Sequence, residues 1–457
     1  MSLTRRRFLA GGAATALGAA GVYELVDRLA GSAPERPAGR PRPEQHLLDG
    51  VRVVRQDGVA VLVPPLHHEV VTARVAVDRA DLRDAQAALE RVLRGLDDEY
   101  EPTPAGLGVT VAWGRPYFER LVPSASARLL PRDRRADLPA LLDARRFPSD
   151  PEDTVLEAND AAILLRSDVR DHVDDAVDRL RRSGVLHVTS LRRGFAGGGF
   201  EGGVSLPKRM ALAAGVGGAD LIPDSSELFL GFTSTQAAGM GPGRIANFET
   251  LGLVDLRGSD YFVHGTHLHL SHVAEDLEAW YVNFDFDERV ATAFRPDLRV
   301  KPNAQTVAQG PEQAQTAADV VRDFRRTGRI GHSASIQPTS RLAADVTGPD
   351  GTTYRKGSAI PIRADFNTLD NPFAFSDRPE ELQPGPAAGL HFLVFNPTSD
   401  DFHRNRLAMD GVLPDVKLPL PPRDRNQGFN AVLRTTHRQN FLVPPRRHRS
   451  FPLAEVE

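Results

Sequence analysis

The chain has 457 residues, 41% of them hydrophobic and 25% charged, with a formal net charge of −4. Such a composition belongs to a globular protein too long for one core, and it leaves no basic footprint for nucleic acid. Cysteine is absent, which excludes disulfides, thiolate catalysis, thiolate-bound metals, iron–sulfur clusters and thioether-attached haem.

The N-terminus reads as targeting. Thr4-Arg-Arg-Arg-Phe-Leu9 matches a twin-arginine export signal, and a weakly apolar run follows from Ala10 to Leu25. Glu24, Asp27 and Arg28 interrupt that run, so it is too short to span a bilayer stably. Small residues at Gly31 and Ala33 predict cleavage after Ala33. Residues 1–33 are therefore expected to be a signal peptide for the twin-arginine translocation machinery, and the mature protein extracellular, periplasmic or in the cell envelope. That route carries folded proteins and suits a cofactor inserted before export. Residues 34–48 form a proline-rich linker.

In the first half (49–245), Val51 to Val63 and Glu69 to Val77 have the pattern of strands. Leu82, Ala85, Leu89, Val92 and Leu96 fall at helical spacing. Leu107 to Trp113 alternates as a strand, and Pro116 to Leu121 is a short helix. Ala161 to Leu165, Val169 to Arg182 and Val185 to Leu191 continue as strand, helix, strand. The glycine-rich stretch Gly194 to Gly203 lacks the Lys-Ser/Thr ending of a phosphate-binding loop.

The second half (246–457) repeats the order. Asp260 to His272 is a predicted strand, Glu275 to Phe284 and Pro311 to Arg326 are predicted helices, and Leu390 to Asn396 is strongly strand-like. Phe402 to Met409 is a predicted helix, and Phe441 to Val443 closes the chain as a strand. Two ferredoxin-like α+β halves, packed together as in a dimeric α/β barrel, are expected.

Histidine is the one metal-binding side chain with a distinctive distribution. His264, His267, His269 and His272 lie within nine residues, and on a strand His267 and His269 share a face. Two imidazoles on one face suit a copper or zinc ion that finds further ligands, with His264 or His272 nearest in sequence. Gly328-Arg-Ile-Gly-His332 places another histidine directly after a glycine and downstream of a helix.

Several stretches together resemble, in order and spacing, the dye-decolourising (DyP-type) haem peroxidases. They are Leu107 to Trp113 with Phe118, Leu230-Gly-Phe232, Ser259 to Val263 with Leu268 to Trp280, and Gly331-His332. Tyr354-Arg-Lys-Gly357, Gly389 to Asn396 and Asn440-Phe-Leu-Val-Pro-Pro445 complete the set. The resemblance implies haem b in the second half, with His332 as the iron ligand and Arg355 as the distal arginine. It implies peroxide or a small molecule as substrate, and a homo-oligomer. The family's Gly-x-x-Asp-Gly motif becomes Gly231-Phe-Thr-Ser234-Thr235, so Ser234 stands where the distal aspartate would be. A hydroxyl does not accept a proton at neutral pH as a carboxylate does. The resemblance is thus to a divergent, exported branch that lacks the distal acid.

In these terms His332 is expected to ligate iron as neutral imidazole, with its second nitrogen on an acceptor, typically a carboxylate. Arg355 is expected to stabilise charge on bound peroxide, His391 to serve as a distal base, and His267 and His269 to pair with propionates. Beside these stand structural readings, with His332 and His391 as core histidines and Arg355 in a surface ion pair. Two alternatives remain at this point. One is a non-haem copper or zinc protein built on His264 to His272. The other is a cofactor-free binding protein whose pocket is filled by Phe366, Phe373, Phe375 and Phe392.

Overall fold

The structure is a computed structural model, and it describes residues 22–23, 25–30, 42–133, 136–196, 203–233, 254–255, 261–307, 314–347, 353–371 and 386–457. In chain order its main elements are α1 (Leu25–Ala30), β1 (His67–Val75), α2 (Leu82–Glu99), β2 (Gly108–Gly114), β3 (Ala161–Ser167), α3 (Arg170–Arg182), β4 (Leu186–Phe195) and α4 (Leu206–Ala213). They continue with β5 (Thr266–Glu275), α5 (Leu277–Asn283), α6 (Phe286–Ala293), α7 (Ala317–Thr327), α8 (His332–Ser340), β6 (Phe366–Thr368), β7 (Gly389–Asn396), α9 (Ser399–Met409) and β8 (Leu433–Val443).

The first half follows β-α-β-β-α-β order, with its strands lying side by side as β4-β1-β3-β2. The second half repeats this as β8-β5-β7-β6. Each half is a ferredoxin-like α+β unit, as the element order predicts. Their edges join. Phe441 and Leu442 of β8 pair with Gly114 and Trp113 of β2, and Asn367 of β6 pairs with Phe195 of β4. Eight antiparallel strands therefore close into one barrel, which leaves neither half an open edge along these strands. The expected division near residue 245 falls outside the described residues.

Strand alternation sorts the side chains. Val70, Leu164, Leu270, Phe366, Leu393 and Phe441 fill the barrel interior. On the outer face of the first half, Val71, Val111 and Ile163 meet α2 and α3. Helix α2 buries Leu82, Ala85, Leu89, Leu93 and Leu96, whose spacing of three and four residues makes one stripe. Each such leucine contributes roughly 1.5–3 kcal/mol by leaving water. Among the described residues, no helix is long and apolar enough to cross a membrane.

Three local expectations are corrected. Val51 to Val63 is a hairpin, Arg52–Gln56 against Val59–Val63. Asp57 and Gly58 both take positive φ (49° and 81°), the Asp-Gly turn that suits paired strands. Strand β5 begins at Thr266, because Tyr261 to His264 forms a turn and His264 itself sits at φ 71°. Strand β8 runs back to Leu433, through a polar sequence that carries no apolar alternation.

Candidate functional site

In the first half the space between sheet and helices is solid core. In the second half the corresponding space is a cavity of about 260 Å³ between β5, β7, β8 and helices α6, α8 and α9. The outward residues of the strands face it: Ser271, Val273 and Glu275 from β5, and Leu390, Phe392 and Val394 from β7.

His332 stands on its wall as the first residue of α8. The preceding Gly331 is required by close approach. A Cβ there would lie 2.3 Å from the carbonyl oxygen of Phe294 and 2.6 Å from Cα of Arg295. That backbone contact is fixed by Ala334 N–H donating to Phe294 O at 2.8 Å. Gly331→Ala is expected to cost about 2–4 kcal/mol and to shift the His332 ring, which denaturant unfolding checks. The imidazole packs against Phe429, ring centres 4.7 Å apart. Burial, helped by Arg363 and Arg406, holds its pKa down to about 3, so it is neutral at physiological pH. Its Nδ1 has no hydrogen-bond partner among the described residues, so the carboxylate expected behind it is not found there.

The rest of the wall is mostly apolar, with hydroxyl and amide side chains such as Ser271, Gln337, Asn405 and Thr435, and it carries four guanidinium groups, those of Arg341, Arg363, Arg406 and Arg438. Arg438 donates to Asp150 Oδ1 at 2.7 Å, and Arg406 reaches the same oxygen at 3.2 Å and Asp410 at 2.9 Å. Arg341 donates to Gly357 O at 2.8 Å. Two carboxyl groups also line the cavity, Glu275 and Asp365. Burial, with Asp365 adding repulsion, raises Glu275 to about 8. Leu230, Phe232 and Thr233 reach the wall as well, so the chain leading to Ser234 does approach the cavity. Ser234 itself lies outside the described residues, as do Phe373, Phe375 and the twin-arginine motif.

The other sequence-predicted residues lie elsewhere. Arg355 is not on this wall: its side chain is 77% exposed and pairs with Asp345 at 2.9 Å. Eight residues on, Arg363 does line the cavity, on a strand that pairs it with Val394 of β7 on the cavity-facing side. His391 faces the barrel interior, packed on Phe366 and His272, with Nε2 3.0 Å from Asp370 Oδ2. Strand alternation turns it away while Leu390 and Phe392 face the cavity. Phe366 likewise fills the barrel, not the cavity. His267 and His269 do share the outward face and are fully buried. His269 is committed to protein partners: Nδ1 lies 2.7 Å from Asn440 Oδ1, Nε2 meets Ser271, and the ring stacks on Phe402. His264 bonds Glu44 at 2.7 Å, and His272 points inward to Thr436. The four imidazoles therefore do not converge, and among the described residues no group of three or more His, Asp or Glu side chains is placed to hold a metal ion.

Sequence reasoning missed Arg363, Asp365 and Glu275. A signal for the first two was present: Ile362, Ala364 and Phe366 alternate with Arg363 and Asp365, the pattern of a strand with one polar face.

No curated protein matches the chain. Among solved structures, a DyP-type peroxidase from Cellulomonas bogoriensis is similar in fold, with a TM-score of 0.53 and 17% identity over 89% of this chain and 96% of that one. The encapsulated DyP-type peroxidase from Mycobacterium smegmatis gives 0.49 and 12%, over 85% and 95%. A DypB variant from Rhodococcus jostii RHA1 in complex with heme gives 0.48 and 13%, over 85% and 96%. The fold is thus that of the DyP-type peroxidase from Cellulomonas. By the match of residues 65–445 to its family model, the chain belongs to DUF7405, a family of unknown function.

Proposed function

We propose that this is an exported haem b-binding protein that uses peroxide to oxidise a small-molecule reductant. The observation that carries the reading is His332. A neutral imidazole with no hydrogen bond to a described residue stands on the wall of an apolar cavity. The residues present fit haem: apolar walls for the macrocycle, guanidinium groups for its propionates, and one imidazole for iron. Thr4 to Leu9 supports the export part of the reading.

Haem, if bound, would supply a redox-active iron for the reduction of peroxide by the reductant. The chain does the rest. His332 would hold the iron, and with no carboxylate on Nδ1 among the described residues it would be a less basic ligand than an imidazole so partnered. Arg341 and Arg363 hold propionate charge or charge developing on the peroxide. Glu275 keeps a proton up to about pH 8. It takes the place of the missing aspartate, giving its proton to the leaving oxygen and recovering one from the incoming peroxide.

This assigns Glu275 a pH signature. Its folded pKa, about 8, lies above its usual 4.5, so the stability it contributes is present at low pH and is lost as pH rises through 8. Glu275→Gln is expected to be more stable than the parent at pH 9 by a few kcal/mol (~2–4), with that advantage roughly halved at pH 6. Denaturant unfolding at both pH values measures it, and an equal difference at the two would remove Glu275 from the role. The activity itself is tested by turnover of a phenolic reductant with hydrogen peroxide. The hemin-loaded protein is expected to exceed free hemin by at least about tenfold, and parity would defeat the proposal.

A further inference from the structure

The sequence places a cleavage site after Ala33, yet Val22, Tyr23 and Val26 are 3%, 3% and 0% exposed. They share one apolar cluster with Leu206 and Met210 of α4 and with Phe229, Leu230 and Trp280. Leu230 of that cluster also lines the cavity, so the segment backs one edge of the candidate site.

Polar contacts fix it as firmly. The Tyr23 hydroxyl donates to Asp370 Oδ1 at 2.9 Å and accepts from Leu369 N–H at 2.8 Å. Asp370 also accepts from Arg193 N–H at 3.0 Å and lies 3.0 Å from His391 Nε2. Removing Tyr23 would leave the Leu369 N–H without this acceptor and strip one donor from a buried carboxyl. A peptide destined for removal gains nothing from such contacts, whereas a folded element does.

We infer that Val22, Tyr23 and helix α1 (Leu25–Ala30) are an integral part of the folded protein, and that any leader is cut ahead of Val22, not after Ala33. Gly18 and Ala20 supply the small residues that such a cut requires, leaving Gly21 as the first residue. Tyr23 then acts as a positioning residue that pins the loop at Leu369 and Asp370 against the barrel. Only the cut rests on the export reading, and the packing claim stands apart from both export and haem.

The test has two arms. The protein is expressed in a host with twin-arginine export, and the intact mass of the exported product is measured. A product beginning at or before Val22 is expected, and one beginning beyond Ala30 would overturn the inference. Separately, thermal unfolding is compared for the full chain, for residues 21–457, for residues 34–457, and for Tyr23→Phe in the full chain. The 21–457 form is expected to match the full chain. The 34–457 form is expected to melt at least about 5 °C lower or to be insoluble, and Tyr23→Phe to melt a few degrees lower (~2–4 °C). A 34–457 form as stable as 21–457, with Tyr23→Phe unchanged, would show that the segment is dispensable.

Discussion

Acidification is expected to unfold this protein cooperatively between about pH 5.5 and 4. Eight of the fourteen histidines are held below their usual 6.5, in each case chiefly by burial. His68, His267, His332 and His403 sit near 3, and His437 near 4. A lowered folded pKa contributes stability that is present above 6.5 and lost as pH falls toward 3. Each such imidazole steepens the loss by up to about 1.4 kcal/mol per pH unit. Glu275 near 8 and Asp370 near 6 act in the opposite sense, as do Glu69 and Asp410, which burial also raises. Together they offset up to about four of the eight over the upper part of the window. Half the remaining slope, over two pH units, is comparable with the whole stability of a typical domain, about 5–15 kcal/mol. Circular dichroism against pH measures the transition. A melting temperature unchanged from pH 7 to 4 would mean that the imidazoles are solvated and the barrel packing is wrong.

His332→Ala is the second large effect. It is expected to weaken hemin binding at least about tenfold and to change the Soret band, because His332 is the iron ligand proposed above. Added imidazole, entering the vacated space, is expected to restore much of the spectrum. The arginines give the internal control. Arg363→Ala is expected to weaken hemin binding or lower turnover, since its side chain faces the cavity. Arg355→Ala is expected to change neither, because it pairs with Asp345 at the surface. An exposed pair of this kind contributes little to stability, so Arg355→Ala also tests whether any loss is general.

Much of this architecture was legible in the residues. Alternation marked β2, apolar strand-like runs marked β3 and β7, and the stripe from Leu82 to Leu96 marked α2, because each packs into a core. Element order then implied the two halves. Closure of the barrel was not legible, since it rests on a few pairs between residues far apart, such as Phe441 with Gly114 and Asn367 with Phe195. The polar half of β8 escaped for a related reason: His437 faces the barrel interior and Arg438 the cavity, so both faces carry polar groups.

Within the site, His332 was reached through the resemblance carried by Gly331-His332, and the close backbone approach at Gly331 became visible only in the structure. Arg355 stands outside the cavity, and Arg363, eight residues on, lines it. Arg355 and Arg363 both follow a tyrosine or isoleucine, and only the register against Val394 tells which one turns inward. His391 was misassigned by one position on β7, since alternation sends Leu390 and Phe392 to the cavity. Glu275 was hidden because a glutamate at a strand end reads as a solvated residue, and its burial comes from elements distant in sequence.

The central claim is that this cavity holds haem through His332, and a hemin titration of the full chain followed by its Soret absorption tests it most directly. The account predicts saturation at one hemin per chain, with a spectrum that His332→Ala alters and Arg355→Ala does not. A linear, unsaturating rise, or a saturating band unchanged in His332→Ala, would contradict it.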